Sequence, residues 1–525
     1  MNYKLCIISA GTGSRLSPLT DNLNKSLLPV GFRAAISRII EKHSNAVEIV
    51  IAVGFEAEKV KEYIECAHPD RQVTYVLVDK LTGPGSGPGY SLLCCRPYLN
   101  KPFVLTTVDT LVKEKCPLPS ENWMGVSSVD ASSEFCTLEF ESENNMITKL
   151  FDKVDDGTNQ AFIGLAGIKD YQPFFESLAS NNLQVKGEVQ VSNGFIGLIN
   201  KRLIAKKFTW NDIGSIEGYL KANRIFSDIN HGFDFTKRGE YLYFENSHVI
   251  KYFEDKEIIS NRIKRASLLG EVVPKIIFSK KNFYAYKKID GNVIYDEKDP
   301  QITSSLLEWL KKSLWIEKHI SSQEFDLFRI ACKKFYRDKT ILRLENFYNR
   351  FEVEDRPGLV NGIEIPRAID LINLINFDWL SSGIPSNFHG DLQFDNILLT
   401  KEKDFKLIDW RQDFSNLLDY GDIYYDLAKL NGGLYVSYKE IKKGQFEYEG
   451  DINNSTIGLC QDSFLKESKK VLNSFVTNNN YDIQKIEIIT GLIFLNMAAM
   501  HEAPFSFYIY NMGRLHLNLW VKKDV

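Results

Sequence analysis

The sequence has little cysteine, and its cysteines follow no pattern that would hold a metal or a disulfide framework. The eight cysteines are scattered through 525 residues, and none of them forms a C-x-x-C pair, although Cys94 and Cys95 are adjacent. Zinc sites and the disulfide frameworks of small secreted proteins both need recurring cysteine spacings. A reducing compartment fits best, so we predict a cytoplasmic protein.

Long apolar runs and an excess of positive charge are also missing. The first apolar run, in MNYKLCIISAGTG, is broken at Gly11 and is too short for the apolar region of a signal peptide. No later run reaches the roughly 18 to 20 apolar residues of a membrane-spanning helix. The formal net charge of -4 argues against nucleic acid as a partner. We therefore expect small-molecule substrates, no nucleic acid and no membrane insertion, and a homodimer stays open.

The length of the chain and a change of pattern along it predict two domains. Single hydrophobic cores stop growing at about 250 to 300 residues, so 525 residues call for more than one core. Up to about residue 228, short β-branched runs alternate with amphipathic segments, whereas helical patterns dominate after Gly291. We predict one domain over residues 1–228, a linker over residues 229–239 and a second domain over residues 240–525.

The first domain alternates strand-length and helix-length segments. The apolar runs KLCIIS, EIVIAVGF, VTYVLVD and FVLTTVD have the length of strands, and AAISRIIEKHS and EAEKVKEYIECA have helical spacing between them. This alternation predicts an α/β fold with a mostly parallel sheet covered by helices. The second domain opens with GEYLYFENSHVIKYF, a hairpin with its turn at residues 245–247. A helix that ends at Gly270 follows, so an α+β domain is expected.

Two glycines and two cations follow the first predicted strand, in AGTGSRLSPLTDNLNKSLLPVG. The carboxyl edge of an open α/β sheet is where ligands bind, and the strand delivers to it Gly11, Thr12, Gly13 and Ser14. Glycines let backbone N–H groups approach a phosphate without a Cβ in the way. Arg15 and Lys25 would add fixed positive charge, one as a planar fork and the other as a point charge. The segment therefore predicts a polyphosphate site.

GTGSRLSPLT followed by KSLLPVG resembles the signature of nucleotidyltransferases that make sugar nucleotides and CDP-alcohols, and the resemblance covers about residues 3–225. It implies a Rossmann-like (GT-A) fold in which Asp109 of FVLTTVDT and Asp212 of WNDIGSIEGYLKAN bind Mg²⁺. The implied reaction is attack of a substrate phosphate on the nucleotide α-phosphorus, with release of pyrophosphate. Arg15 and Lys25 are the implied catalytic residues, because they offset the developing charge.

The resemblance also implies where the substrates bind. GPGSGPGYSLL falls where the family places its base-contacting loop, so Gly85 and Gly87 are expected at the nucleotide, although a purely geometric role stays open. Glu188 and Gly164 fall near the family's positions for the acceptor. CTP is favoured, because the short domain and NKSLLPV resemble phosphocholine-type cytidylyltransferases; UTP, dTTP and GTP stay open.

A second constellation lies in HGDLQFDNILL and in FKLIDW downstream of it. Asp391, Asn396 and Asp409 follow in the order and spacing of aminoglycoside and choline kinases and, more distantly, of protein kinases. The resemblance implies a two-lobed, protein-kinase-like domain that uses ATP and a second Mg²⁺ site. Asp391 would accept or orient the proton of an attacking hydroxyl, while Asn396 and Asp409 hold the metal.

Further residues are predicted from this second resemblance. Lys251 in HVIKYF is expected to bind nucleotide phosphate, and Asp422 and Asp426 are expected to be local caps or braces. Two departures from the family pattern stand out. There is no G-x-G-x-x-G loop, and the stretch where a glutamate partner of the lysine is expected reads NRIKRA.

Together the two resemblances predict a bifunctional enzyme. It would phosphorylate a small alcohol or sugar with ATP and couple the product to an NTP, giving a building block for capsule or other surface polysaccharide. A choline kinase with phosphocholine cytidylyltransferase, an anomeric sugar kinase with UDP- or GDP-sugar pyrophosphorylase, and a regulatory scaffold with an inactive kinase lobe stay open. A neutral polyhydroxylated acceptor is favoured over choline because hydrogen-bonding groups cluster late in the chain, at His501, Glu502, Asn511 and Arg514.

Overall fold

The computed structural model describes residues 2–130, 132–155, 157–181, 184–227, 239–437, 441, 444–458 and 462–521. The chain divides into two compact units. The first contains the described residues up to 227 together with 239–254 and 278–285, and the second contains 255–277 and the described residues from 286 onward. The predicted linker lies outside the described residues except for Gly239. The hairpin that follows it groups with the first unit, and the predicted domain start at residue 240 stays a prediction.

The strands of the first unit are β1 Lys4–Ser9, β2 Pro29–Val30, β3 Arg33–Ala34, β4 Glu48–Val53, β5 Val73–Leu77, β6 Phe103–Thr107, β7 Thr110–Val112, β8 Asn122–Ser128, β9 Cys136–Phe140, β10 Ile147–Asp152, β11 Gln160–Ile168, β12 Gln184–Val185, β13 Glu188–Val189, β14 Leu203–Lys207, β15 Trp210–Asp212, β16 Glu240–Glu245 and β17 His248–Phe253. Its helices are α1 Ala35–Lys42, α2 Ala57–Ala67, α3 Pro88–Cys95, α4 Tyr171–Ser180, α5 Ser192–Ile196 and α6 Ile216–Phe226. Short 3-10 turns lie at Ser14–Leu16, Lys25–Leu27, Arg96–Tyr98, Ser132–Glu134 and Ile199–Lys201.

A nine-stranded sheet forms the centre of this unit, with the order β10-β9-β11-β6-β1-β4-β5 and with β8 and β14 joined through β11. β1 pairs in parallel with β4 and β6, and β4 pairs in parallel with β5. β11 is antiparallel to β6. The predicted α/β fold with a mostly parallel central sheet is therefore confirmed for the N-terminal region.

Two hydrophobic cores cover the two faces of the sheet, because successive side chains of a strand point to opposite faces. Leu5 and Ile7 of β1 pack in one core with α1 and α2, while Cys6 and Ile8 pack in the other with α3 and α4. Every residue of β1 is buried, as expected for a central parallel strand. The carboxyl end of β1 is thus held rigidly between two cores.

β16 and β17 form the predicted hairpin, and Glu245 pairs with His248. The turn is therefore shorter than the predicted 245–247, because it holds only Asn246 and Ser247 between the paired ends. Asn246 has a φ of 51°, in the left-handed region that asparagine tolerates.

The remaining strands are β18 Ile276–Ser279, β19 Phe283–Lys287, β20 Gly291–Val293, β21 Gly358–Val360, β22 Ile363–Ile365, β23 Pro385–Ser386, β24 Ile397–Thr400, β25 Phe405–Leu407, β26 Gly421–Asp422, β27 Glu447–Gly450 and β28 Asn454–Gly458. The helices are α7 Lys256–Leu269, α8 Ile294–Glu297, α9 Pro300–Ser313, α10 Ser322–Lys333, α11 Lys339–Phe351, α12 Ala368–Asn373, α13 Phe377–Leu380, α14 Ile423–Tyr435, α15 Ser463–Asn478, α16 Ile483–Ala498 and α17 Phe505–Trp520. Gly270–Val272 and Phe394–Asn396 are 3-10 turns, and Lys334–Asp338 is a π-helical turn.

The second unit is rich in helices, and α14 and α16 are buried along most of their length. α7 begins after Asp255, which accepts from the N–H of Glu257, and ends at Gly270, whose φ is 60°. The predicted helix in this region is thus confirmed. In the part of the chain that the structure describes, no helix is both long and apolar enough to cross a membrane.

Candidate active sites

The turn after β1 leaves its backbone open to a ligand. A Cβ placed on Gly11 would have no neighbouring atom of the described chain within 4 Å. Gly13 has a φ of 69°, and its carbonyl accepts a hydrogen bond of 2.9 Å from the hydroxyl of Thr20. Ser14 follows at the start of a 3-10 turn in which Ser14 and Arg15 are exposed and Leu16 is buried. The segment predicted to bind phosphate is therefore fixed in shape and accessible.

Asn24 ties this turn to the ends of two strands. Its Nδ2 donates to the carbonyls of Ser9, at 2.9 Å, and Phe55, at 2.7 Å. Its Oδ1 accepts from the backbone N–H of Ser26 at 3.0 Å. These bonds hold the backbone on both sides of Lys25. The sequence analysis missed this role, for which the only signal was a polar residue directly before KSLLPV.

The four residues predicted for catalysis and metal binding in the first unit come together. Nζ of Lys25 lies 2.6 Å from Oδ2 of Asp109. A Cβ placed on Gly214 would lie 3.0 Å from Nη2 of Arg15 and 3.0 Å from Oδ1 of Asp212. β7 and β15 are paired, which places Asp212 opposite the residue that follows Asp109. Residues almost 200 positions apart in sequence therefore form one charged centre.

The electrostatics of this centre fit a divalent cation. Burial raises the pKa of Asp109, but the charge and hydrogen bond of Lys25 bring it down to about 2. Burial raises the pKa of Asp212, and the charge of Asp109 adds to this effect. Two carboxylates that repel each other suit Mg²⁺, which binds few protein oxygens and completes its shell with phosphate and water. Among the described residues, no group of three or more acidic, histidine or cysteine side chains suits a metal.

The glycine loop that precedes α3 lies against the segment that carries Glu188. The N–H of Gly85 donates to the carbonyl of Gly187 at 2.7 Å, and that of Val189 donates to Ser86 at 2.7 Å. Gly87 has a φ of 112°, and a Cβ there would lie 2.9 Å from Cβ of Glu188. The loop predicted for the base and the residue predicted for the acceptor are thus neighbours. Their roles in binding stay predictions.

Gly164 lies against the threonines that flank Asp109 in sequence. Its φ is 79°, and a Cβ there would stand 2.4 Å from the hydroxyl oxygen of Thr107. The hydroxyls of Thr107 and Thr110 are 3.2 Å apart, and Thr110 donates to the carbonyl of Ile163. Gly164 therefore lets β11 approach the strand end that carries Asp109, and its predicted contact with the acceptor stays a prediction.

In the second unit, Asp426 braces the loop that contains Asp391. Its Oδ2 and Oδ1 accept hydrogen bonds of 2.7 Å each from the backbone N–H groups of His389 and Gly390. Burial lowers the pKa of His389 to about 3, so the ring is neutral and its Nε2 donates to the carbonyl of Ile408 at 2.9 Å. Asp422 accepts from the N–H of Tyr424 and caps α14. Asp426 is thus a brace of the loop, whereas Asp422 is a helix cap.

Asp391 is held as a carboxylate. Burial raises its pKa, but the charge and hydrogen bond of Lys429, whose Nζ lies 2.9 Å from Oδ1, lower it below its usual range. Nδ2 of Asn396 donates to the backbone carbonyl of Asp391 at 2.8 Å and to its Oδ2 at 3.3 Å. The sequence analysis missed Lys429, which is a buried lysine on the apolar helix α14.

Asp409 lies next to the same loop. The N–H of Ile408 donates to the carbonyl of Asn396 at 2.9 Å, which brings Asn396 and the segment of Asp409 together. Nη1 of Arg262 lies 3.7 Å from Oδ1 of Asp409. The stretch NRIKRA, where the family pattern leads one to expect a glutamate, thus provides an arginine for the predicted metal ligand. Lys251 is buried on β17 in the first unit, and its phosphate-binding role stays a prediction.

In the late polar cluster predicted to bind a neutral acceptor, Asn511 and Arg514 form hydrogen bonds with other groups of the protein. Arg514 is fully buried and donates to the carbonyls of Arg356, at 2.7 Å, and Pro366, at 3.0 Å. Asn511 donates to Ile452 and Ser455. Because these donors already have protein partners, they do not provide a set of groups for substrate hydroxyls.

Comparison with known proteins shows similarity in the N-terminal region. Residues 4–83 match the family model described as Nucleotidyl transferase. The N-terminal region is a nucleotidyltransferase-type domain. A bifunctional protein GlmU of Methanococcus vannielii is 29% identical over 230 residues, which are 42% of this chain and 54% of that protein. The low-salt glycan biosynthesis nucleotidyltransferase Agl11 of Haloferax volcanii is 22% identical over 237 residues, or 42% of this chain and 64% of that protein.

Solved structures include a UDP-glucose pyrophosphorylase complexed with UDP-glucose, which is 21% identical, with 43% of this chain and 98% of that chain covered and a TM-score of 0.39. The chain spans about half the length of the first curated relatives it matches. The family model and the curated relatives confirm the resemblance to nucleotidyltransferases predicted for the N-terminal region. The resemblance of the second unit to small-molecule kinases stays a prediction.

Proposed function

We propose that the chain is a bifunctional enzyme that transfers a nucleotide at the first unit and a phosphoryl group at the second. The observation that carries the first half is the meeting of Arg15 and Lys25 with Asp109 and Asp212 at one end of the central sheet. Two cations and two carboxylates beside an open glycine turn suit a nucleoside triphosphate and its metal.

In the first reaction, an oxygen of the acceptor phosphate attacks the α-phosphorus of the NTP, and the bond to the leaving pyrophosphate breaks. The open backbone at Gly11 admits the phosphates, and Arg15 and Lys25 offset the charge that develops during transfer. Asp109 and Asp212 would hold Mg²⁺, which when bound neutralises phosphate charge. No proton has to be moved, so the site needs no general base.

For the nucleotide, we retain CTP as the first candidate, on the resemblance of NKSLLPV to cytidylyltransferases. The second candidate is UTP or dTTP, from which the enzyme would make a sugar nucleotide. The names of relatives favour this candidate. These include a glucose-1-phosphate thymidylyltransferase of Streptomyces griseus, 22% identical over 239 residues. Pyrophosphate release with each NTP and a panel of sugar and alcohol phosphates distinguishes the two.

In the second reaction, Asp391 would orient the acceptor hydroxyl and take its proton as the oxygen attacks the γ-phosphorus of ATP, with ADP as leaving group. Its contact with Lys429 and the bonds from Asn396 support this role, because they keep the carboxylate ionised and fixed. Asn396 and Asp409 would hold the second Mg²⁺. The same support argues against the alternative of an inactive kinase lobe.

The experiment that tests the proposal separates the two sites by matched substitutions. Asp109→Asn should abolish pyrophosphate release and leave ADP formation intact, and Asp391→Asn should do the reverse. Asp70→Asn and Asp326→Asn replace exposed aspartates of the two units and serve as controls. Equal loss of both activities in a folded Asp109→Asn protein would contradict the assignment of the reactions to separate sites.

A further inference from the structure

The predicted catalytic loop of the second unit lies in a concentration of positive charge. Besides Lys429, Asp391 interacts electrostatically with Lys339 of α11 and with Arg411, which lies two residues after Asp409. Arg343 of α11 interacts in turn with Lys339 and Arg411. Lys339 and Arg343 are four residues apart on one helix face, where like charges repel. Three cations therefore interact with the predicted base, and Arg343 adds a fourth positive charge beside two of them.

The geometry ties two of these cations to one aromatic ring. Nζ of Lys339 lies 4.1 Å from the ring centroid of Phe335, and the guanidinium of Arg411 lies 5.0 Å from the same centroid. Phe335 belongs to the π-helical turn directly before α11, and such turns are often found at functional sites. Arg411 also packs over the loop itself, since a Cβ on Gly390 would lie 2.9 Å from the Arg411 side chain.

In the part of the chain that the structure describes, Asp391 is the one carboxylate that contributes to the pKa of Lys339, and its own nearest cation is Lys429. Within the described ranges, no carboxylate lies at ion-pair distance from Lys339, Arg343 or Arg411, and the buried Nε of Arg411 has no hydrogen-bond partner. Burial and the charges of Arg411, Lys429 and Arg343 lower the pKa of Lys339 well below its usual range. A bound oxyanion would relieve the repulsion among the cations and accept a hydrogen bond from Nε of Arg411.

We propose that the phosphoryl acceptor is an anionic alcohol, and that Lys339, Arg343 and Arg411 bind its carboxylate or phosphate while Asp391 faces its hydroxyl. The proposal rests on the kinase reaction proposed above and names its substrate class. A hydroxy acid, a sugar acid or a phosphorylated alcohol has this chemistry. The same charges would repel choline and other cationic acceptors. The proposal therefore favours an anionic acceptor in place of the neutral one predicted from the sequence.

Matched acceptors that differ only in charge test the proposal on the full chain with ATP and Mg²⁺. Glycerate should exceed glycerol, and a hexuronate should exceed its hexose, by about 10- to 100-fold in kcat/KM for ADP formation, the range of a lost charge-assisted hydrogen bond. Turnover of the neutral member of each pair at an equal or higher rate would overturn the anionic acceptor and leave the kinase assignment standing.

Variants test whether the cations bind an anionic group of the acceptor or the γ-phosphate of ATP. Lys339→Gln and Arg343→Gln should raise the KM for the acidic acceptor at least about tenfold with little change in the KM for ATP, and Lys339→Arg should restore part of the loss. Lys334→Gln, an exposed lysine of the π-helical turn, is the control. A rise in the KM for ATP alone would assign the cations to the nucleotide and overturn the proposal.

A binding measurement keeps the test independent of turnover. Without ATP, glycerate or inorganic phosphate should raise the melting temperature of the wild-type chain and of Lys334→Gln, and should do so much less for Lys339→Gln. If every acceptor is silent in turnover but this stabilisation is present and lost in the variant, the anion site stands and the kinase assignment fails. Absence of stabilisation by any of these anions, together with silence of every acidic acceptor, overturns the anion site.

Discussion

Nζ of Lys25 lies 2.6 Å from Oδ2 of Asp109, and each side chain is only about one-fifth exposed. Solvent and salt screen the attraction in such a pair less than they do in a surface ion pair. Because it stands beside the open glycine turn, the lysine is placed to meet both a phosphate and the carboxylate predicted to bind metal.

Replacing Lys25 with methionine should lower nucleotidyl transfer by about 100- to 1000-fold, since the site loses one fixed charge that opposes the charge developed in the reaction. ADP formation at the second unit should not change. The measurement is pyrophosphate release under saturating NTP, with Lys115→Met, at an exposed lysine of the same unit, as the control. A loss smaller than about threefold would remove Lys25 from the catalytic centre.

Gly164→Ala should damage the first site more than its backbone conformation alone explains. An alanine with φ near 79° costs about 1 to 2 kcal/mol, and its Cβ would also stand 2.4 Å from the Thr107 hydroxyl oxygen. Gly157→Ala is the matched control, because its φ is 76° but no atom of the described chain lies within 4 Å of the added Cβ. Melting temperature and pyrophosphate release should fall together in Gly164→Ala, whereas Gly157→Ala should lose only stability. Equal behaviour of the two variants would contradict the role of the close packing.

The hairpin of β16 and β17 should lose stability as the pH rises towards neutral. Glu245 is fully buried, and its Oε1 accepts from the hydroxyl of Tyr63 at 2.7 Å. Burial raises its pKa from 4.5 to about 7, so the folded chain holds a proton that the unfolded chain releases. Its contribution is fully present below about pH 4.5 and is lost as the pH rises through 7, a change of about 3 kcal/mol.

This prediction is measured by the free energy of opening of the β16 and β17 amides in hydrogen exchange at pH 5 and pH 7.5. Glu245→Gln should flatten the difference, because glutamine has no proton to lose. Glu240→Gln, at a half-buried residue of the same strand, should retain it. An unchanged pH dependence in Glu245→Gln would show that another group is responsible.

Asp426→Asn should slow phosphorylation without touching nucleotidyl transfer. The carboxylate accepts from two backbone N–H groups of the loop, and an asparagine presents an N–H group to one of them. An unsatisfied buried donor costs about 1 to 3 kcal/mol, so the loop should shift and kcat for ADP formation should fall at least about tenfold. Asp419→Asn, at an exposed aspartate between the loop and α14, is the control. Wild-type turnover in Asp426→Asn would show that the loop needs no such brace.

Local pattern predicted much of the first unit. KLCIIS is the strand Lys4–Ser9, and AAISRIIEKHS contains the helix Ala35–Lys42. These segments carry their periodicity in a few consecutive residues, so their structure can be inferred without knowing what they pack against. The turn after the first strand could also be predicted, because its glycines and cations lie at fixed spacing within one segment.

Local sequence patterns could not predict contacts between residues that are distant in the chain. Tyr63 and Glu245 are 182 positions apart, and Lys429 meets Asp391 from a helix that looks purely apolar. Lys339 shows an ordinary surface pattern in sequence, and only its packing with Arg411 on the ring of Phe335 reveals that the two cations meet. The sequence favoured a neutral acceptor and the proposal above favours an anionic one, because the residues on which the proposal rests are far apart in the chain.

The most direct test of the two-step account is to follow both reactions in one sample by ³¹P NMR. The full chain would be incubated with Mg²⁺, ATP, CTP and the alcohol that ADP formation selects from the acidic and neutral panel. The wild type should form the acceptor phosphate first, then a nucleoside diphosphate-linked product and pyrophosphate. Asp109→Asn should accumulate the acceptor phosphate, and Asp391→Asn should form the final product only when that phosphate is supplied. Formation of the nucleoside diphosphate-linked product by Asp109→Asn would contradict the account. So would its formation by Asp391→Asn from the free alcohol.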